Sequence, residues 1–222
     1  MARLALVGGG GFAVEVSEVA QLVGHDVVGY FASEQSEWQL PYLGSPDRIS
    51  GSAREFDQVA LAFGAVDRRS VRHRADFARR LNQIAPIAPA LVSPHAIVGG
   101  EAILEPGAFV GHNVVLGPSC RIGAFSVLNT SVSVGHHATI GFGSIVAPHA
   151  FIGGGTTVGE LALLGPGSLI LQGLTLGDEV VVGIGTSVFR NVPKGSTIWP
   201  ARMQVTPKSG GKPRESAPVS GR

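Results

Sequence analysis

Cysteine is nearly absent: Cys120 is the only one in 222 residues. That excludes an intrachain disulfide and any cysteine-based metal cluster, and it fits a reducing compartment. Aromatic residues make up only 6% of the chain, so a core has to be filled with aliphatic and small side chains. Neither sign of charge dominates, with 17 Lys and Arg against 16 Asp and Glu. A nucleic acid or an anionic membrane selects a basic field, and this chain has none, so neither is expected as a partner. Long apolar runs are also missing. The N-terminal stretch MARLALVGGGGFAVEV is cut by glycines and by Glu15, well short of a membrane span. It reads as a buried strand and a turn rather than a signal peptide, which makes the expected location cytoplasmic.

What is abundant is glycine, 32 residues, in a chain that is 44% hydrophobic. The first half alternates strand and helix. RLALV (3–7) is a short apolar strand and GGGGFA a turn. A helix with valines at helical spacing then runs to Gly24, followed by strand DVVGYF (26–31). VALAFG (59–64) reads as a further strand and residues 66–81 as an amphipathic helix. The expectation is a small Rossmann-like parallel α/β domain over residues 1–85.

From residue 98 the rhythm changes. Every sixth position from Val98 to Val188 is aliphatic, sixteen in succession. Two residues earlier the side chain is usually small, as at Ala108, Ser126, Ala138, Ser144 and Ala162, and one residue later it is usually glycine. Neither the helical period of 3.6 nor the strand period of 2.0 holds a six-residue register this long. Such a repeat specifies a solenoid. The hexapeptide form implies a parallel β-helix of triangular section: aliphatic residues inside, small residues on the wall, glycine relieving the corner, and three hexads per coil. Sixteen hexads make a little over five coils. No insertion interrupts the register. The β-helix is expected over 86–203, closed by a cap at 190–203, with a polar disordered tail at 204–222.

These two parts in this order resemble the bacterial sialic acid O-acetyltransferases and nucleotide-amino-sugar N-acetyltransferases. The most specific segment is LNTSVSVGHHATIG (128–141), which includes Asn129 and resembles that family's approach to its catalytic histidine. WPAR (199–202) is similar to an ending common to hexapeptide acyltransferases. The resemblance implies a left-handed β-helix, a homotrimer, acetyl-CoA as co-substrate and a sugar or sugar-nucleotide acceptor. His136 falls on the general base and His137 on the position of an acid that orients it. Gly154, Pro166 and Ile184 fall on CoA-contact positions, and Ile145 on that of a further CoA-proximal histidine. Gly10, Gly11 and Phe12 match the sugar-nucleotide loop, Ala32 and Ser33 replace a pair of acids after the second strand, and Gly64 and Asn129 match further acceptor contacts. No metal is implied.

Other readings stay open. His137 either orients His136 or is merely exposed. His95, His112 and His149 read as surface residues, Cys120 as core, and Arg68, Arg69, Arg72, Arg74, Arg79 and Arg80 as a solvated helix face. The glycine turn lacks the full dinucleotide fingerprint. A non-catalytic trimeric scaffold or sugar-nucleotide sensor of the same fold is an alternative. A zinc lyase of the γ-carbonic-anhydrase type is disfavoured, since no two histidines show the His-x4-His spacing it needs.

Overall fold

The computed structural model describes residues 1–52 and 54–200. The expected tail at 204–222, and Ala201 and Arg202 of the WPAR segment, lie outside the described residues.

Four parallel strands form the first sheet: β1 (Arg3–Val7), β2 (Asp26–Phe31), β3 (Tyr42–Gly44) and β4 (Gln58–Leu61). Their order is β3-β2-β1-β4. Two helices serve this sheet, α1 (Gly11–Leu22) and α2 (Arg68–Ile84). Parallel pairing with intervening helices is the Rossmann-like arrangement expected. Strand β3 was not legible in the sequence, since its three residues are too few to show a period. Gly8 explains the sharp turn after β1: its φ is +136° and a Cβ there would lie 2.4 Å from the Ala62 carbonyl oxygen. Helix α2 begins with a capping box. Asp67 accepts from the Ser70 backbone N–H at 2.7 Å, and Ser70 returns a bond to the Asp67 N–H.

After α2 the chain does not leave the sheet at once. Residues 86–88 run beside β4, where Val59 bridges Ile87, and the solenoid begins at Leu91. From there two-residue strands recur every six residues and pair in parallel with strands 18 residues away, as in Val127↔Ile145 and Leu128↔Val146. Three walls result. Wall 1 has seven strands, from Leu91–Val92 to Thr197–Ile198. Wall 2 has six, from Ile97–Val98 to Ser187–Val188, and wall 3 has five, from Ile103–Leu104 to Thr175–Leu176. The solenoid therefore makes about six coils, beginning one hexad earlier than the sequence count and ending later. The register also contracts. After Val188 the next wall-3 residue is Val192, which bridges Leu176 sixteen rather than eighteen residues away, and Ile198 then pairs with Val182. The segment expected as a cap thus supplies two further wall positions.

The interior is the aliphatic column the hexads specify: Leu116, Leu128, Ile140, Ile152 and Ile170 are each 1% exposed or less. Cys120 is in the same core, where burial pushes its thiol up from the ordinary cysteine range. Small polar wall residues earn their place by bonding inward-facing carbonyls, as Ser126 Oγ does to Gly141 O (2.8 Å) and Ser144 Oγ to Gly159 O (2.9 Å).

The role expected for glycine needs correction. The left-handed corner residue is not the glycine one position after the aliphatic residue but the third one. It is non-glycine at Phe125, Ser131, His137, His149 and Leu161, among others, with φ between 56° and 61°. The glycine at the first position is required by stacking: a Cβ on Gly135 would lie 2.4 Å from the Gly154 nitrogen, and on Gly153 2.4 Å from the Gln172 nitrogen. Coils spaced at about 4.8 Å leave no room for a methyl group there.

The α/β domain covers wall 1. The outward residues Leu91, Phe109, Val127, Ile145 and Leu163 are buried with Leu4, Val16, Val19 and Val71 in one cluster. Phe12 meets Phe109 edge-on at 5.2 Å. The arginines of α2, expected on a solvated face, instead clasp the corner between walls 3 and 1. Arg68 donates to the carbonyls of Glu179, Gly195 and Ser196, Arg72 pairs with Glu179, and the Arg79 guanidinium lies over the Phe142 ring at 4.9 Å. Arg74 is 1% exposed and donates to Phe63 O (2.8 Å) and Phe125 O (2.6 Å). Burial lowers its pKa to about 10, so it stays cationic at neutral pH. Of the cluster, Arg69 and Arg80 remain on the exposed side. His112 also differs from the surface reading. Its Nδ1 bonds Ser93 Oγ at 2.7 Å, and its Nε2 lies 3.7 Å from Glu18 of α1, so it marks the seam between the two domains. His95 and His149 are exposed.

Candidate active site

His136 and His137 follow Val134 at the corner between walls 2 and 3. The backbone there is fixed from both sides: the His137 N–H donates to Pro118 O of the preceding coil at 3.0 Å, and His136 O accepts from the Gly155 N–H of the next at 2.8 Å. Both side chains are exposed on the single chain. Their Nδ1 atoms are 3.0 Å apart and the rings meet edge to face at 83°. Nε2 of His136 lies on the other side of its ring, over Gly154 in the next coil. A Cβ on Gly154 would come within 2.7 Å of Nε2, 2.9 Å of Cε1 and 3.0 Å of Cδ2. Gly154 is thus the space the imidazole occupies. Its own N–H donates to no other group among the described residues.

This glycine yields a clean test. In Gly154→Ala the methyl group must displace the imidazole, while the backbone, which is not left-handed there, is undisturbed. Any activity that uses His136 should fall about 10²-fold, with the melting temperature held within about 2 °C, because a misplacement near 1 Å is enough for such a loss. Steady-state kinetics beside a thermal melt check both halves.

Continuing along the same corner, successive coils place Gln172 and then Arg190 below Gly154. Three coil spacings of about 4.8 Å put Arg190 roughly 14 Å from His136. Wall 2 beside this column carries an exposed apolar stripe, with Val115 41%, Phe151 44% and Leu169 49% exposed, flanked by Leu171, Ile184 and Phe189. Arg190 was not singled out in the sequence, although as the second residue after Val188 it keeps the register of His136, Gly154 and Gln172; the contraction to Val192 comes after it.

Pro166 and Ile184 lie on a different edge, the corner between walls 1 and 2. They border the apolar stripe from the side opposite Gly154. Ile145 is not with them. It is 4% exposed on wall 1 and lines a crevice of about 450 Å³ between the domains, together with Phe12, Glu15, Gly64, Val66, Ser70 and Asn129. Four residues predicted as separate contacts, Phe12, Gly64, Asn129 and Ile145, are thereby brought together. Ala32 and Ser33 line a second cavity of about 310 Å³ at the carboxyl ends of β1, β2 and β4, with Gly9, Phe31, Phe63 and His73. Gly10 and Gly11 stand between the two. A Cβ on either would meet nothing of the chain, and Gly10 caps α1 without any side-chain bond. The helix N-terminus there is open to an anion. Among the described residues, no three His, Cys, Asp or Glu side chains of one chain come together as metal ligands, and no helix is long and apolar enough to cross a membrane.

The architecture is that of the hexapeptide-repeat acyltransferases. PerB from Caulobacter crescentus, solved with CoA and GDP-perosamine, is 26% identical over 89% of this chain and 93% of that one, with a TM-score of 0.82. GDP-perosamine N-acetyltransferase from the same organism, solved as a histidine-to-alanine mutant with the same two ligands, is 24% identical. It covers 93% of this chain and 97% of that one, at a TM-score of 0.83. The acetyltransferase domain of PglB from Neisseria gonorrhoeae with acetyl coenzyme A is also 24% identical, over 89% and 95%, at 0.80. No protein-family model matches the chain, and no curated protein matches it significantly.

Proposed function

We propose that this protein is an acetyl-CoA-dependent acyltransferase that N-acetylates a nucleotide-linked amino sugar as a homotrimer. One observation carries the chemistry: the His136 imidazole presents Nε2 over the space left by Gly154, at the head of a corner that continues past an apolar wall to Arg190. That order matches a thioester, an apolar pantetheine arm and a phosphate group. The base at Nε2 takes the proton of the acceptor amine as its nitrogen attacks the thioester carbonyl, and the same proton leaves with the CoA thiol. The free Gly154 N–H is a donor for the oxyanion. On the acceptor side, the open N-terminus of α1 at Gly10 and Gly11 suits a pyrophosphate. The interdomain crevice with Phe12, Gly64, Asn129 and Ile145 suits the sugar, and the cavity beside Ala32 and Ser33 the nucleoside. GDP-perosamine, bound by structures of the same fold, is an acceptor of this class.

The positions of the two proposed half-sites support oligomerisation. The α/β domain covers wall 1, and His136 is on the corner opposite that wall, so one chain cannot bring its own glycine loop to its own histidine. The exposed apolar stripe of wall 2 lies between them and suits a second copy, and a triangular solenoid closes with threefold symmetry. Light scattering should give a mass of three chains.

Release of CoA thiol from acetyl-CoA, followed across a panel of nucleotide-linked 4-amino and 3-amino sugars, tests the function directly. Turnover with at least one of them is expected. CoA binding with no turnover on any would favour the sensor reading. Arg190→Glu should raise KM for acetyl-CoA about tenfold at low salt, and less at high salt, with kcat unchanged, since an exposed charge acts through a screened field.

A further inference from the structure

The crevice proposed for the sugar has one charged side chain, Glu15, and no lysine, arginine or histidine in its lining. Glu15 was not singled out in the sequence as a site residue. It stands about 6 Å along α1 from Gly11, on the face it shares with Gly11 and Phe12 through i+4 and i+3 spacing. The residue is exposed, and no ion pair reaches it among the described residues. A carboxylate without a cationic partner from the chain therefore faces the crevice.

The other polar side chains of the lining act in the same sense. Asn129 donates its Nδ2 to Val146 O at 3.1 Å, which fixes the amide and leaves Oδ1, an acceptor, as its free end. Ser70 is fully used: its hydroxyl donates to Asp67 Oδ1 at 2.7 Å and accepts from the N–H groups of Val66 and Asp67 at 3.1 and 3.0 Å. The side chains thus offer the crevice acceptors only. Its free donors are backbone groups at the other end. The Gly64 and Ala65 N–H groups bond to no other group among the described residues, in the loop after β4 that runs beside the glycine turn, where a Cβ on Gly8 would meet Ala62 O. With the open N-terminus of α1 they form a donor end suited to phosphate, and one turn further in the acceptors begin.

We infer that Glu15 is a specificity-determining residue: with Asn129 it takes the hydroxyl or ammonium hydrogens of a neutral or cationic sugar, and it rejects sugars that carry a carboxylate. This rests on the reading of the crevice as the acceptor site. A hexose or an amino sugar brings donors to both acceptors, and a bond to an ionised acceptor is the stronger kind. A sialic or hexuronic acid instead sets one carboxylate against another, with no side-chain cation in the lining to neutralise either. Of amino sugars and sialic acids, the two acceptor classes the resemblance leaves open, the crevice admits the first.

Binding titrations of the full chain without acetyl-CoA test this, in two matched series: GDP, GDP-mannose and GDP-mannuronic acid, and UDP, UDP-glucose and UDP-glucuronic acid. In the series bound more tightly, the hexose conjugate should bind at least about tenfold more tightly than the hexuronate, and the gap should narrow at high salt, because Glu15 is open to solvent. Glu15→Gln should weaken the hexose conjugate about tenfold, the worth of one charge-assisted bond, leave the free diphosphate within about twofold, and close the gap to the hexuronate. Glu15→Lys should prefer the hexuronate. Melting temperatures of both variants should stay within about 2 °C of the wild type, since an exposed side chain in no ion pair is replaced. Equal wild-type affinity for hexose and hexuronate, a hexose conjugate bound no better than its free diphosphate, or unchanged affinity and selectivity in Glu15→Gln would each overturn the proposal. The acyltransferase reading fails separately. Discrimination in binding with no acetyl transfer to any amino sugar removes the transferase and keeps the role of Glu15, whereas transfer that Glu15→Gln leaves unaltered removes only that role.

Discussion

Turnover in His136→Ala is expected to fall about 10³-fold, with the fold and acetyl-CoA binding intact. The magnitude follows from the role. A positioned general base contributes about 10²–10⁴, and the three atoms nearest the space over Gly154 all belong to the His136 imidazole. The structural cost is small because the imidazole is exposed and its one partner, His137, is exposed as well. Backbone contacts alone hold the corner, through His137 N–H to Pro118 O and Gly155 N–H to His136 O, and alanine keeps both. Single-turnover kinetics beside an acetyl-CoA binding titration would separate chemistry from binding. A variant that binds acetyl-CoA normally and turns over within tenfold of wild type would show that the acceptor amine needs no base here.

Replacing Arg74 by alanine is the change with the largest expected effect on stability, about 3 kcal/mol. The guanidinium is buried and satisfies two carbonyls, Phe63 O two residues past β4 and Phe125 O on the solenoid corner. Removing it strands both and opens a cavity, at about 1–3 kcal/mol per buried unpaired group before the cavity is counted. Part of this is offset, because Nη2 already lacks a partner and the desolvation that lowers the Arg74 pKa to about 10 disappears with the charge. For a chain of this length the melting temperature should drop by roughly 6–12 °C. Arg74→Met, which refills the volume but bonds neither carbonyl, should recover the cavity part only. Since the crevice proposed for the acceptor is lined from both domains, KM for the acceptor should rise in these variants more than KM for acetyl-CoA. A loss below 1 kcal/mol would mean that Arg68, Arg72 and the wall-1 cluster hold the domains together without it.

The sequence was legible where the physics is local and periodic. An aliphatic residue every sixth position from Val98 to Val188 admits one architecture, because no helix or flat sheet keeps that register buried. The strands at 3–7 and 26–31 showed themselves by apolar runs between turns, whereas β3 had too few residues to show a pattern. The coil also explains why the glycines misled. Their frequency shows in the sequence, but whether each answers a positive φ or a neighbour 2.4 Å away depends on residues one coil distant.

By itself, then, the sequence determined the two-part architecture, the inward column and the corner on which His136 and His137 stand, since each depends on spacing along the chain. Only the tertiary structure decided which wall the α/β domain covers. That contact turned the arginines of α2 from a solvated face into a clasp and gathered Phe12, Gly64, Asn129 and Ile145 into one crevice. It likewise decided that Val192 and Ile198 return to walls 3 and 1 through a two-residue contraction after Val188, and that the two imidazoles meet at 3.0 Å. The physical reason is the same in each case: a hexad fixes the wall or corner a residue occupies, but its partners lie a coil or a domain away, and stacking, closure and desolvation choose them.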